Sequence, residues 1–585
     1  MVSSDQLAAP KGAAVPALPE LASGEIYRAL MKYRGTLVSV ALFSGVINLL
    51  YLAPAIYMLQ IYDRVLTSQS ESTLIALTVL VVALFIVTGL LEGIRGSVMA
   101  RLGDSLEDDL STRVYSAMFA QQLHASNGHG NQPLWDLQQL RQFFSGSGLY
   151  AFLDLPWLPI FLATIFLLHP ILGFFVSAGA IVLFATAWIS ERIARQPLAD
   201  ANEWSMAASG SVTSQLRNTE IIEALGMLPQ LLGRWRALQS KARLFQHQAF
   251  EQLRITGGLT RVLRMVLQSG TLGLGAWLAL KGELTPGAMI AGAILATRAL
   301  SPLESVIGHW KSFLGSIRGA SRLTKLLREH PARVKGMDIP RPVGHLSAEN
   351  IFVASPSNKH FILKGLTFEL RPGQVLGVLG PSAAGKSTLA RSIIGVWPVQ
   401  LGTLRLDGSD IRNLDRVAVG SAIGYLPQDI ELFSGTVAEN IARFGDLDSA
   451  EVIAAANACG IHGLLLELPK GYDTPIGESG VMLSGGQRQL IGLARALYGK
   501  PSLVVLDEPS SNLDEFGHRC LAMAIRTMKS WQSAVMVITH DPVVLALADQ
   551  LMILQDGQIR KMGEPKDVMA SLIPIKKVNP HASQH

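Results

Sequence analysis

The sequence predicts an all-α half of six membrane-spanning helices, followed by an α/β half that holds a phosphate-binding loop. Three observations predict it. Long stretches free of Asp, Glu, Lys and Arg recur before residue 300. A charged stretch with three prolines, residues 327–345, then separates two kinds of pattern. Beyond it, short β-rich runs alternate with helical ones, and one of them leads directly into a glycine-rich loop ending in Gly-Lys-Ser.

The totals agree with a chain that is partly in lipid. At 585 residues it is too long for a single core. Charged residues make up 16%, against roughly 25% in ordinary soluble proteins, and the mean hydropathy is +0.32. The net charge of +5 fits Lys and Arg gathered at cytoplasmic helix ends. No basic run with interleaved aromatics supports nucleic-acid binding. Cys459 and Cys520 are too few for a disulfide framework or a metal set.

Taken in order, residues 1–25 are rich in Ala, Pro and Ser and lack the apolar core of a cleavable signal, so they read as a tail. The membrane half is expected over residues 26–326. Residues 35–62 and 73–91 carry no charge and read as a first hairpin. Residues 92–150 are charged with a helical pattern and a Gly/Asn-rich break near His124–Pro133. They predict two helices that reach far out of the membrane. Leu155–Ser190 is long enough for two spans with a tight turn at His169-Pro170. After a second charged excursion, 191–264, the runs Met265–Leu280 and Leu284–Thr297 are short. Their shared turn and Pro286 at a helix start favour a third hairpin. Most Lys and Arg lie in the long excursions and at Lys32 and Arg34, which places excursions and termini in the cytoplasm. Arg261, Arg264, Arg298 and Glu304 lie beside the last two spans. They either line a translocation path or sit on helices that have already left the lipid.

In the second half, expected over residues 346–570 with a tail at 571–585, Val375–Leu379 reads as a buried strand. It runs into Gly380-Pro381-Ser382-Ala383-Ala384-Gly385-Lys386-Ser387, and Thr388 opens a helix. Backbone N–H groups there would cradle phosphates, Lys386 would reach the β- and γ-oxygens, and the Ser387 hydroxyl would ligate Mg²⁺. Leu503–Asp507 is a second apolar strand; Asp507 at its end suits Mg²⁺, and Glu508 suits the general base that polarises an attacking water. Gln428, Asp514 and His540 complete a set of polar positions at strand and loop ends. Gln428 would touch metal or water, Asp514 would contact a second copy, and His540 would hold the γ-phosphate. Leu483-Ser484-Gly485-Gly486-Gln487 precedes a helical pattern, so its bare backbone N–H groups sit at the positive end of a helix dipole. One phosphate loop plus a second phosphate-facing helix end predicts two copies facing each other.

These motifs together resemble the nucleotide-binding domain of ATP-binding cassette proteins, and the half before them resembles that family's exporter type. The resemblance implies ATP and Mg²⁺, a homodimer, and cytoplasmic excursions near residues 121–135 and 214–228 that dock near Gln428. Gly477-Glu478-Ser479-Gly480 resembles the exporter segment that senses the membrane helices. Met58–Leu66 with Thr73-Leu74, Asp154-Leu155-Pro156-Trp157 and Asn218–Met227 resemble type I protein-secretion ATPases. The short N-terminus leaves no room for a peptidase domain, which favours the subgroup exporting proteases and lipases with an uncleaved C-terminal signal. That implies the bacterial inner membrane, a periplasmic adaptor (membrane-fusion) protein, an outer-membrane channel protein and a secreted protein substrate. An exporter of lipid, drug or small peptide with the same engine is the alternative. Two positions depart from the pattern. Ala383 stands where exporters usually carry Gly, and Ala354-Ser355-Pro356-Ser357 lacks the aromatic that stacks on adenine, leaving Phe352, His360 or Phe361 as substitutes.

Overall fold

The computed structural model describes residues 24–124, 131–216, 218–332, 340–355, 360–477 and 483–570. Residues 1–23 and 571–585 of the tails, 125–130 of the expected break near His124–Pro133, residues 333–339 and Glu478–Gly480 lie outside them, while Glu25, read as tail, opens the helix Glu25–Lys32. The chain divides into two compact units, one of Met1–Phe119 with His129–Ala332, the other of Ala120–Gly128 with Arg333–His585.

The first unit is helical throughout its described residues. Arg34–Leu50 and Ala53–Gln60 lead into a π-helical turn, Ile61–Val65, and Gln69 reverses the chain at φ 47°. Glu71–His124 is one helix of 54 residues, about 80 Å at 1.5 Å per residue, long enough to cross a bilayer and continue well beyond it. Gln132–Ser145 and Ser147–Asp154 follow, then a 3₁₀ turn at Leu155–Trp157 and Leu158–Leu168. His169 is extended and Pro170 restarts the helix, which runs to Leu216. The expected turn is found there, because proline has no N–H to continue the previous helix.

Thr219–Ala224, Leu228–Leu280 and Pro286–Glu329 complete the unit. Thr285 caps the last of these by accepting from the Ala288 N–H, with Pro286 at the first turn. This helix runs to Glu329, and Leu326 and Leu327 are buried. The start of the stretch read as linker is therefore the last turn of a packed helix.

Five described helical stretches are long and apolar enough to cross a membrane. Leu228–Leu280 is not among them; Gln268, Ser269 and a series of glycines dilute its apolar run after Arg264. It packs like a span nonetheless. Leu278 is buried with Phe161, Ile165, Leu172, Val176 and Leu295 in one apolar cluster. Along Pro286–Glu329 the buried Gly287, Ala288, Ala291, Gly292, Ala296 and Ala299 let neighbouring helices approach closely.

The second unit contains a six-stranded sheet. In spatial order its strands are Gln558–Gly563, Gln550–Gln555, Val375–Leu379, Ala534–Ile538, Leu503–Asp507 and Ile423–Leu426. All neighbours are parallel except the first pair. The three central strands are buried at every position, and each is flanked by apolar clusters on both faces, which is why they read as unbroken apolar runs. An antiparallel sheet of Phe361–Leu370, Leu346–Ala354, Leu401–Leu406 and Ser409–Asp410 packs beside it.

Candidate nucleotide site

Four adjacent parallel strands end in the residues singled out by sequence. The phosphate loop follows Val375–Leu379, His540 follows Ala534–Ile538, Asp507 and Glu508 end Leu503–Asp507, and Gln428 follows Ile423–Leu426. Ligands of open parallel sheets bind at this edge.

The loop is shaped by backbone that only small residues tolerate. Gly380 has φ 157°, and a Cβ there would lie 2.2 Å from the Leu554 carbonyl oxygen. Gly385 has φ 100°, with room taken by Leu363. Pro381, Ser382 and Ala383 are exposed while Ala384, Gly385, Lys386 and Thr388 are buried. The loop thus presents its crest outward above the N-terminus of Lys386–Ile393. Lys386 Nζ donates to the carbonyl oxygens of Gly380 (2.5 Å) and Pro381 (3.3 Å), and to His540 Nε2 at 3.1 Å.

Asp507 sits behind the loop. The Ser387 hydroxyl beside it pulls its carboxyl down, yet Oδ1 is buried with no hydrogen-bond partner. Burial pushes the carboxyl above its usual range, against the opposing pull of Ser387. An orphaned carboxylate oxygen beside a hydroxyl is a donor pair that a hard divalent cation satisfies. Gln428 Nε2 donates to Glu508 Oε2 at 3.0 Å, so it touches the carboxylate expected to act as base. Glu508 itself has φ 51°, and its N–H is held by the Ile538 carbonyl at 2.9 Å.

The pentad opens the helix Gly485–Leu497, as its spacing predicts. Ser484 Oγ accepts from the Gln487 N–H (3.2 Å), and Gln487 Oε1 accepts from the Ser484 N–H (3.0 Å), a reciprocal capping box. Asp514 caps its own helix, Glu515–Ser530, through the Gly517 N–H at 2.8 Å.

Comparison with known proteins fits both halves. A family model described as ABC transporter matches residues 363–511, and one described as ABC transporter transmembrane region matches residues 37–302. The type I secretion system ATP-binding protein PrsD of Rhizobium meliloti (strain 1021) is 39% identical over 552 residues, 94% of this chain and 95% of that one. The chain belongs to the ABC transporters.

Among its relatives are other secretion ATPases. The cyclolysin secretion/processing ATP-binding protein CyaB of Bordetella pertussis is 27% identical over 551 residues, 93% of this chain and 77% of that one. A solved bacterial Atm1-family ABC exporter with ATP bound shares the fold at TM-score 0.78 and 23% identity, covering 92% of this chain and 96% of that one. This ABC transporter is therefore a nucleotide-binding, multi-pass protein of the inner membrane, and it groups with type I secretion exporters.

In the transporter's membrane unit, three of the four charges near the last spans have partners. Arg264 pairs with Glu304 at 3.0 Å, Arg298 stacks over the Tyr51 ring at 4.3 Å, and Arg261 is exposed. A further buried pair was not foreseen. Arg95 donates to Asp154 (3.0 Å) and to Ser44 (2.9 Å), while Asn48 also donates to Asp154 (3.0 Å). Phe352 and Phe361 meet edge to face at 5.5 Å, with Phe361 exposed.

One residue of the ATPase unit escaped the sequence reading altogether. Gln489, two positions past the pentad, is almost wholly buried and bonds only to backbone groups in the segment 508–512. A polar residue inside a helix gives no periodic signal by itself; only its place between apolar neighbours marks it.

Proposed function

We propose that the chain is one half of a homodimeric, ATP-driven exporter of a type I secretion system. It moves an unfolded protein with a C-terminal signal out of the cytoplasm. One observation carries the engine: a single domain holds a phosphate loop with Lys386 at its base and, separately, the capped helix start at Ser484–Gly486. Each is half of a nucleotide site, so two copies complete two sites.

In this reading Gly380–Thr388 bind the triphosphate of one ATP, and Ser484, Gly485, Gly486 and Gln487 of a second copy close over it, with Asp514 at the junction. Ser387 and Asp507 hold Mg²⁺, with Gln428 reaching the same centre; the ion neutralises charge on the phosphates when bound. Glu508 accepts the proton of the attacking water, Gln428 orients that carboxylate, and His540 takes the γ-phosphate side. Met265–Leu280 crosses the membrane as the fifth of six spans. Cargo and assembly are carried over from the resemblance to secretion ATPases: a periplasmic adaptor and an outer-membrane channel receive the protein substrate.

The test is reconstitution of the full chain in proteoliposomes with candidate C-terminal peptides of secreted proteins. The reading expects at least one such peptide to change the ATPase rate, and a scrambled peptide to leave it unchanged. Stimulation by lipids or drugs alone, with no response to any such peptide, would replace protein cargo with the alternative.

A further inference from the structure

Burying a primary amide is unfavourable unless each of its donors and acceptors is paired. Gln489 is 2% exposed and meets that condition. Nε2 donates to the Pro509 carbonyl at 2.6 Å and to the Glu508 carbonyl at 3.3 Å. Oε1 accepts from the Asn512 N–H at 3.2 Å. All three partners lie on one stretch of backbone, and that stretch begins at Glu508.

The same helix touches this stretch at its first turn. A Cβ on Gly486 would lie 3.1 Å from the Asn512 carbonyl oxygen, and one on Gly485 would lie 3.7 Å from Asn512 Cβ. Bare backbone at 486 lets the helix approach, and Gln489, one turn on, fastens it. Glu508 needs such a fastening. Its φ of 51° is disfavoured for a residue with a side chain. Its N–H is tied to Ile538 and its carbonyl to Gln489, so the two peptide planes that aim its carboxylate are held from both sides.

We propose that Gln489 is a positioning residue that links the two nucleotide sites of the dimer. The inference rests on the reading of Glu508 as general base and of Ser484–Gly486 as the cover of the partner's phosphate. In that arrangement the helix of one copy faces one ATP while the Glu508 of the same copy faces the other. Gln489 joins them rigidly. Phosphate engaging Ser484–Gly486 at one site therefore moves, through Gln489, the backbone that sets the base at the second site. The coupling is carried by three hydrogen bonds of one side chain.

The experiment uses the full chain in lipid nanodiscs, with Gln489→Glu, which keeps size and acceptor but loses the donor, and Gln489→Met, which loses both. ATP binding per chain, the dependence of turnover on ATP and the melting temperature are measured together. The expected result is turnover per bound nucleotide lowered about 10- to 100-fold, the range for a displaced catalytic group. Nucleotide affinity stays within about twofold and the Hill coefficient falls toward about 1 in both variants. Turnover per bound nucleotide and a Hill coefficient equal to wild type would overturn the proposal. So would losses that track the melting temperature and nucleotide binding, since those mark a packing role alone. Glu508→Gln, run in parallel, separates the two readings. Wild-type turnover in that protein overturns the base assignment, whereas an inactive Glu508→Gln beside a wild-type-like Gln489→Met overturns only the linkage.

Discussion

Ala383 sits in the phosphate loop at φ 64°, where a side chain is disfavoured by roughly 1 kcal/mol. It is exposed, so its methyl group packs against little. Replacing it with Gly relieves the strain but frees the unfolded chain. We expect Ala383→Gly to be stabilising by up to about 1 kcal/mol in urea unfolding. A clear loss of stability would show that the loop draws on the alanine for packing. Asp507 makes a sharper case. Its buried Oδ1 has no partner, so if Asp507 holds Mg²⁺ as proposed, the carboxylate is a burden until the ion binds. Asp507→Asn should raise the melting temperature of the metal-free, nucleotide-free protein at neutral pH while removing the further rise that Mg²⁺-ATP gives the wild type. A lowered melting temperature in the metal-free state would contradict that.

Residues of this kind differ in how legible they are. Asp507, Glu508 and His540 could be placed from sequence because each closes an apolar run, and a buried parallel strand leaves few other positions for a polar side chain, while Lys386 and Ser387 end the glycine-rich loop that follows such a run. Gln489 could not, because its partners are backbone atoms about twenty residues away, and no pattern of side chains records them.

At the scale of elements, uncharged runs located the hairpins, and His169-Pro170 located a turn, because lipid excludes charge and proline stops a helix. The extent of the helices was less legible. Leu228–Leu280 carries both a charged stretch and an apolar one without a break, since an α-helix satisfies its own backbone in water and in lipid alike. The pair Arg95–Asp154 was hidden for another reason. Arg95 reads as one of the first charges beyond a span, just after Glu92, yet Ser44, Asn48 and Asp154 from two other helices close around it. Its side chain is 9% exposed and that of Asp154 20%. Removing one partner leaves the other buried and uncompensated, at about 3–5 kcal/mol. Asp154→Ala should therefore lower thermal stability in detergent strongly, and Arg95→Leu with Asp154→Leu should recover much of the loss. A double variant as unstable as the sum of the singles would show that the two charges act independently.

For the whole molecule, the two units correspond to two solvents. The first exposes Val79, Val82, Phe85, Ile86 and Leu90 along one helix, which suits lipid, while the second buries its apolar strands on both faces. What one chain lacks is a second wall for its nucleotide, and the central claim is that a second copy supplies it. The most direct measurement is cross-linking of Ser382→Cys with Ser484→Cys in a Glu508→Gln background, where the proposed base assignment expects ATP to be bound but not turned over. Cys459 and Cys520 are buried, and burial pushes both thiols up, so they should stay inert. The account predicts a product of twice the chain's mass under mild oxidation with Mg²⁺-ATP, and far less without nucleotide. A yield indifferent to ATP, or no cross-linked dimer at all, would contradict it.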